Sequence, residues 1–142
     1  NKGVVRTFKM DNKGGEHTLF FSFEDWWVGD FESYIKGTPS TLQIQALEDC
    51  EFLCISKDDC ERFMNEYPSF KQFFDKKYES FMFSMMERLV NQKTFNHEER
   101  YKQLINDHPY VFDRIPLHYI ASYLNIAPQS LSRLRRRILL KK

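Results

Sequence analysis

Residues 117–136, LHYIASYLNIAPQSLSRLRR, predict two short helices joined by a tight turn. Helices that cross at a steep angle need a small residue at the crossing, and Ala121 supplies one. Asn125 stands in the turn, where a residue that tolerates positive φ is required. Pro128 suits the first turn of the second helix, whereas Ala127 is a weak cap. Apolar residues of both helices are expected to face a core: Ile120, Leu124, Ile126, Leu131 and Leu134. This pattern is typical of a helix-turn-helix.

The second helix of this stretch carries a polar surface, made by Gln129, Ser130, Ser132, Arg133, Arg135 and Arg136. Such a helix fits the major groove of DNA with its N-terminal half towards the base edges. Glutamine can pair with adenine and arginine with guanine, each through two hydrogen bonds, while serine and the other arginines suit phosphates. We therefore predict a double-stranded DNA partner, with Gln129 and Arg133 as base readers. The alternative is an ordinary helical hairpin with a basic surface.

The formal net charge of +1 conceals an asymmetry. From Arg114 onward there is no Asp or Glu, and the basic residues are Arg114, Arg133, Arg135, Arg136, Arg137, Lys141 and Lys142. A basic end on a near-neutral chain indicates a polyanionic partner. A solvated basic helix end, favoured by the helix dipole, would explain the same charges.

Residues 1–57 predict short strands separated by turns, as in a sandwich or roll. A hairpin is expected from Val4–Phe8 and His17–Phe23 around the turn at 12–15. Further strands are expected at Thr41–Ala46, where alternation indicates one buried face, and at Glu51–Ser56. Because the chain opens at Asn1 with a strand and turn pattern and without Met, we expect an N-terminal portion of the strand domain to be missing.

Helices follow from about Lys57, so the fold class is α+β. Ser56 can cap a helix, Pro68 interrupts the pattern, and a long helix is expected over 69–91. Its apolar residues cover more than one face, which predicts dimerisation through Phe74, Tyr78, Phe81 and Met85; the alternative is a central helix in a monomer. A helix over 94–106 comes next. The predicted division is a strand domain at 1–66, the long helix at 67–92 and a DNA-binding domain at 93–142.

The order of these parts resembles the Crp/Fnr family of bacterial transcription regulators, and in particular its Bacteroidetes branch. The resemblance is carried by residues 2–6, Gly29-Asp30, Gly37, Ala46, residues 98–101, and by 116–124 with 131–133. It implies a partial cyclic-nucleotide-binding-like β-roll (a jelly roll), a long central dimerisation helix and a C-terminal helix-turn-helix of winged-helix-like type. It also implies a homodimer on a near-palindromic operator, with reading helices about one DNA turn apart, and RNA polymerase as a partner.

The resemblance places an effector pocket at Gly29, Asp30, Ser40 and Thr41. Family members that bind cyclic nucleotides have a Gly-Glu turn and an Arg-Ser pair; here Asp30 replaces the Glu, and Ser40-Thr41 replace the pair. Because a buried phosphate without a cation is costly, tight cyclic AMP binding is not expected. Trp26, Trp27 and Tyr34 could line the pocket or belong to the core. The alternatives are a cyclic-nucleotide-responsive regulator with a non-standard phosphate pocket and a signalling dimer that does not bind DNA.

Other functional classes find no support in the sequence. No nucleophile elbow, phosphate loop or metal motif indicates an enzyme, and His17, His97, His108 and His118 lack metal-ligand spacing. Three cysteines favour packing over an iron–sulfur cluster and fit a reduced, cytoplasmic protein. No apolar run is long enough to span a membrane, and no cofactor is predicted.

Overall fold

The computed structural model describes residues 2–140, without the side chain of Leu139. The chain divides into two compact units. The larger unit contains the residues up to Phe52 together with those from His97 onward, and the smaller unit is Leu53–Asn96. The larger unit combines three strands with short helices, and the smaller unit is helical. The α+β class predicted from the sequence is therefore confirmed.

The sheet of the larger unit is antiparallel and consists of β1 (Val5–Met10), β2 (Glu16–Ser22) and β3 (Gln43–Ala46), in the order β2-β1-β3. The β1–β2 hairpin is confirmed. Its turn is held by Asp11, whose Oδ1 accepts hydrogen bonds from the backbone N–H groups of Lys13 and Gly15, each at 2.8 Å. Gly14 adopts φ of 80°, which explains the glycine at this position.

Two predictions in the strand region are wrong, and one helix was not predicted. Residues 52–56 form no strand, and Glu51 makes only an isolated bridge with Lys2. The strand β3 is exposed along its whole length, because no described element covers either of its faces, so the alternation at Leu42–Ala46 does not mark a buried face. The segment after Asp30 folds into α1 (Phe31–Lys36), a helix too short for its pattern to be visible in the sequence.

The smaller unit is formed by α2 (Lys57–Glu66) and α3 (Pro68–Thr94). The predicted cap is present, since the Ser56 hydroxyl accepts a hydrogen bond from the backbone N–H of Asp59 at 3.1 Å. Pro68 occupies the first turn of α3, where its missing N–H costs nothing. The helix α3 has 27 residues and extends beyond the predicted end at 91. Phe63 and Phe70 pack edge to face between the two helices, with ring centroids 5.9 Å apart.

The remaining helices of the larger unit are α4 (His97–Asp107), α5 (Val111–Arg114), α6 (Leu117–Tyr123) and α7 (Pro128–Leu139). The helix α4 begins three residues later than predicted, because α3 extends through Thr94. Among the residues described from His97 to Leu140 there is no strand, so the winged-helix likeness stays a prediction. One apolar core joins strands and helices and contains Val4, Phe21, Tyr101, Leu104, Val111, Ile115, Ile120, Ala121, Leu124, Leu131 and Leu134.

An ion-pair network also connects the strands of this unit to its helices. Arg114, at the end of α5, donates hydrogen bonds to both carboxylate oxygens of Glu24, at 3.0 and 2.6 Å. The same guanidinium donates to Glu48, which follows β3. Because the pairing is bidentate and Arg114 is only partly exposed, it is stronger than an ordinary surface ion pair.

Acidification is expected to weaken this network. Hydrogen bonds from Arg114 hold the pKa of Glu24 at about 2, below its ordinary value of 4.5. Glu24 therefore contributes stability above pH 4.5, and this contribution is lost as the pH falls towards 2. In urea unfolding between about pH 3 and 5, Arg114→Met should flatten the pH dependence of the free energy of unfolding. The matched control is Lys36→Met, which removes an exposed pair with Glu32; equal slopes in both variants would contradict the expectation.

Candidate functional site

The turn between α6 and α7 has the predicted geometry. Asn125 adopts φ of 54°, in the left-handed region, and the backbone N–H of Ile126 donates to the carbonyl of Ala121 at 3.0 Å. Ala121, Ile120 and Leu131 are completely buried. A larger side chain at Ala121 would have no free space in this core. The predictions for Asn125 and for the small residue are thus confirmed, and the helix α7 has no side-chain cap hydrogen bond at Ala127.

The outer surface of α7 is polar and accessible. Gln129, Ser132, Arg133 and Arg136 are exposed, and Ser130 is half-buried. Arg133 donates a hydrogen bond to the Ser130 hydroxyl at 3.3 Å, so these two side chains lie together one turn apart. The Ser132 hydroxyl donates to the carbonyl of Pro128 at 3.1 Å. The helix therefore presents its donors in its first two turns.

Two arginines of α7 have partners within the larger unit. The guanidinium of Arg135 lies 4.3 Å from the ring centroid of Phe112, and Arg135 is half-buried. Arg137, for which the sequence predicts no DNA contact, donates a hydrogen bond to Glu98 Oε2 of α4 at 2.8 Å. Beside α7 lies a cleft of about 340 Å³, lined by His97, Ile126, Ser130, Arg133, Leu134 and Arg137. The cleft has two arginines in its lining, Arg133 and Arg137, and Arg137 is paired with Glu98 of the first turn of α4.

The helix α6 lies against β2. The backbone N–H of Thr18 donates to the Ser122 hydroxyl at 2.9 Å, and this hydroxyl donates to the carbonyl of Glu16 at 3.1 Å. The rings of Phe21 and Tyr123 are 5.1 Å apart. Sequence reasoning missed Ser122 as a residue of this contact, and it missed Arg6 of β1, whose guanidinium lies 3.7 Å from the ring centroid of Tyr119 on α6. A charged residue inside the β-rich run Val4–Phe8 was the one available indication.

The effector residues predicted from the resemblance lie on and beside α1. One oxygen of the Asp30 carboxylate caps α1, accepting from the backbone N–H groups of Glu32 at 3.0 Å and Ser33 at 3.3 Å. The other accepts from the Ser40 hydroxyl at 2.7 Å. These hydrogen bonds, chiefly that from Ser40, lower the pKa of Asp30 below its ordinary value. The structure therefore brings Asp30 and Ser40 together, and Ser40 is exposed, as are Gly29 and Thr41.

This geometry is unfavourable for an anion. The groups that could hold a phosphate, namely the hydroxyl of Ser40 and the first N–H groups of α1, already bind the Asp30 carboxylate. That carboxylate carries a negative charge at neutral pH. A phosphate would have to displace it or lie beside it, and both are costly.

The three aromatic residues that could line the pocket, Trp26, Trp27 and Tyr34, have different surroundings and exposures. Trp26 is 48% exposed and belongs to a ring cluster with Phe23 and His108, at centroid distances of 6.1 and 5.8 Å. Burial lowers the pKa of His108 below its ordinary value. Trp27 is exposed and Tyr34 half-buried. The cluster around Trp26 thus joins a strand-side loop to the end of α4.

The helix α3 has two adjacent apolar faces. Phe74, Tyr78, Phe81 and Met85, the predicted dimer residues, are half-buried. A second set is exposed and consists of Met82, Phe83, Met86, Leu89 and Val90. At 100° per residue this second set forms one continuous stripe about 100° around the helix from the first. It is called the exposed α3 stripe below.

No helix in the described part of the chain is both long and apolar enough to cross a bilayer. Residues 2–140 contain no group of three or more histidine, cysteine or acidic side chains arranged for a metal ion. The thiols of Cys50, Cys54 and Cys60 are all free, and Cys60 is buried.

Comparisons with known proteins agree with this architecture. Residues 1–67 match the family model of the cyclic nucleotide-binding domain. A solved structure assigned to the Crp/Fnr family of transcriptional regulators, from Eubacterium rectale, is similar with a TM-score of 0.72 and 14% sequence identity. The similarity covers 99% of this chain and 67% of that chain. Curated protein sequences give no significant match. The likeness shows the fold, and this fold is the one that the resemblance to the Crp/Fnr family implies.

Proposed function

We propose that this chain, which has the fold of a Crp/Fnr-type regulator and begins with a cyclic nucleotide-binding domain, is a transcriptional regulator that binds double-stranded DNA through α7. The observation that carries the proposal is the exposed, acid-free outer surface of α7. Its donors lie in the first two turns, the part of a reading helix that reaches base edges.

The six predicted contact residues divide into different roles. Gln129 and Arg133 are exposed on successive turns and are proposed to read bases. Ser130, Ser132 and Arg136 are proposed to bind phosphates. Arg135 packs on Phe112, so the protein orients its guanidinium before DNA arrives, and we propose that it binds a phosphate. The described part of α7 contains no carboxylate that would repel DNA.

A reading-face substitution should separate these roles. Arg133→Ala is expected to cost about 1–3 kcal/mol at an operator and to relax base preference, because the bidentate pair with guanine is lost. Arg136→Ala should weaken binding to all sequences alike and reduce the salt slope by about one. Affinities would be measured on a duplex selected from a random pool and on random-sequence DNA. Arg62→Ala, an exposed arginine of α2, is the matched control. Operator affinity unchanged by Arg133→Ala would show that the reading face is assigned wrongly.

We further propose that the protein is a homodimer joined through α3. Five large apolar residues of the exposed α3 stripe are 42–74% exposed. An apolar area of this kind on a long helix is stabilised by a second helix that covers it. The half-buried set of Phe74, Tyr78, Phe81 and Met85 remains the other candidate face. Two copies of α7 would then bind the halves of a near-palindromic operator, and RNA polymerase is the partner expected of a regulator of this type.

Single charges on α3 should distinguish the two faces. Phe83→Glu is expected to convert a dimer to monomers in sedimentation analysis, because it places a carboxylate in an apolar contact. Phe81→Glu tests the half-buried face. Ser84→Glu introduces the same charge on a third side of the helix and should leave the dimer intact. Dissociation by Phe81→Glu alone would assign the interface to the half-buried face.

The effector domain is proposed not to bind cyclic AMP tightly. Asp30 and Ser40 satisfy each other, and no arginine or lysine hydrogen-bonds to either of them among the described residues. Another effector, or none, remains compatible with this loop.

Calorimetric titration tests this proposal directly. Neither cyclic AMP nor cyclic GMP is expected to bind in the micromolar range, because Lys9 acts on Asp30 only through a weak coulombic attraction and no cation hydrogen-bonds to Asp30 or Ser40 among the described residues. Asp30→Asn, which keeps a capping side chain but removes the charge, should bind no more weakly than the parent. Micromolar binding by the parent would contradict the proposal and favour a cyclic-nucleotide-responsive regulator.

A further inference from the structure

Arg6, in the middle strand β1, is buried to an unusual degree for a charged residue, with 1% of its surface exposed. A burial this complete removes the guanidinium from water and leaves it no access to a ligand such as DNA. Its contacts within the larger unit must therefore explain its role. Its Nη1 atom has no hydrogen-bond partner among the described residues, so hydrogen bonding alone does not account for the burial.

The polar contacts of Arg6 connect all three strands. Nη2 donates to Glu16 Oε2 of β2 at 2.5 Å, and Nε donates to Gln45 Oε1 of β3 at 3.0 Å. Because the guanidinium is planar and rigid, these two bonds fix its plane.

The fixed plane is then stacked against two rings. The guanidinium carbon lies 4.0 Å from the ring centroid of Phe8 and 3.7 Å from that of Tyr119. Phe8 belongs to the same strand, whereas Tyr119 belongs to α6. Arg6 is thus the charged group through which the sheet holds the first helix of the α6–α7 pair. The Ser122 hydroxyl, one turn further along α6, adds hydrogen bonds to β2.

We infer that Arg6 is a positioning residue for DNA recognition, acting through Tyr119. The inference rests on the proposed function. Fixing α6 fixes α7, because the two helices share the buried residues Ile120, Ala121 and Leu131. Base readout requires its side chains to be placed within about 0.5 Å and 10–20°, while phosphate contacts carry no sequence information and tolerate more displacement. Loosening α6 therefore lowers sequence discrimination more than overall DNA affinity.

The experiment uses the full chain and compares Arg6→Lys, Tyr119→Leu and the double variant. Arg6→Lys keeps the charge but loses the planar stack, and Tyr119→Leu keeps apolar volume but loses the ring. Each single variant is expected to weaken operator binding about tenfold, because the loss of the stack lowers the population of the orientation of α6 and α7 that can read bases, and apparent affinity falls in proportion to that population. Binding to random-sequence DNA and its salt slope should change less than about twofold. Because the two residues act as one contact, the double variant should lose no more than the larger single loss.

Tyr119→Phe is the matched control, since it keeps the stacked ring, and it should bind like the parent. Thermal unfolding is followed in parallel, and if Arg6→Lys does not fold, Tyr119→Leu decides alone. Equal losses on both duplexes, or fully additive losses in the double variant, would overturn the inference. The inference would also be overturned if Arg6→Lys and Tyr119→Leu bound the operator like the parent while Arg133→Ala weakened binding. That result would leave the proposed function intact. A parent protein that binds no DNA would overturn both.

Discussion

The stacked guanidinium of Arg6 is the contact on which the arrangement of the larger unit depends. A buried charge is tolerated only when its surroundings replace water, and here Glu16, Gln45 and the rings of Phe8 and Tyr119 do so. These partners come from three strands and from α6, so none of them can move without leaving the charge exposed to an unfavourable environment. A purely apolar contact would permit sliding, because apolar attraction has little directionality. The charge restricts α6 to one orientation on the sheet.

The outer network around Arg114 acts differently. Its guanidinium and the carboxylates of Glu24 and Glu48 are partly exposed, so water can replace each partner at a smaller cost. It joins the loops at the edge of the sheet to the end of α5, just before α6 begins. The start of α6 is therefore held by the partly exposed ion pairs of Arg114, which water can replace. Its middle is held by the buried contact between Arg6 and Tyr119. Among the described residues, the helix α7, which we propose reads bases, has no buried charged contact of this kind with the sheet, and it packs on the core that it shares with α6.

The local pattern predicted those parts of the fold that depend on neighbouring residues. The crossing at Ala121, the left-handed turn at Asn125 and the β1–β2 hairpin follow from steric requirements of single residues. The burial of β3 could not be predicted in this way, since alternation shows two faces but not whether anything covers one of them. The helix α1 has only six residues, which is too short to show a helical periodicity in the sequence. Arg6 and Tyr119 are 113 positions apart in the sequence, so their contact needs the tertiary fold.

The effector loop shows why residue types alone do not define a binding site. Ser40 and Asp30 stand where the family resemblance places ligand-binding groups, and the structure does bring them together. Their polar atoms, however, are directed at each other and at the first turn of α1, which is the arrangement of a helix cap. A hydroxyl and two N–H groups that hold an internal carboxylate are satisfied without a ligand. The carboxylate of Asp30 thus provides, inside the protein, the negative charge that a bound phosphate would otherwise supply. An effector that binds this loop therefore needs favourable contacts other than those of a negative charge.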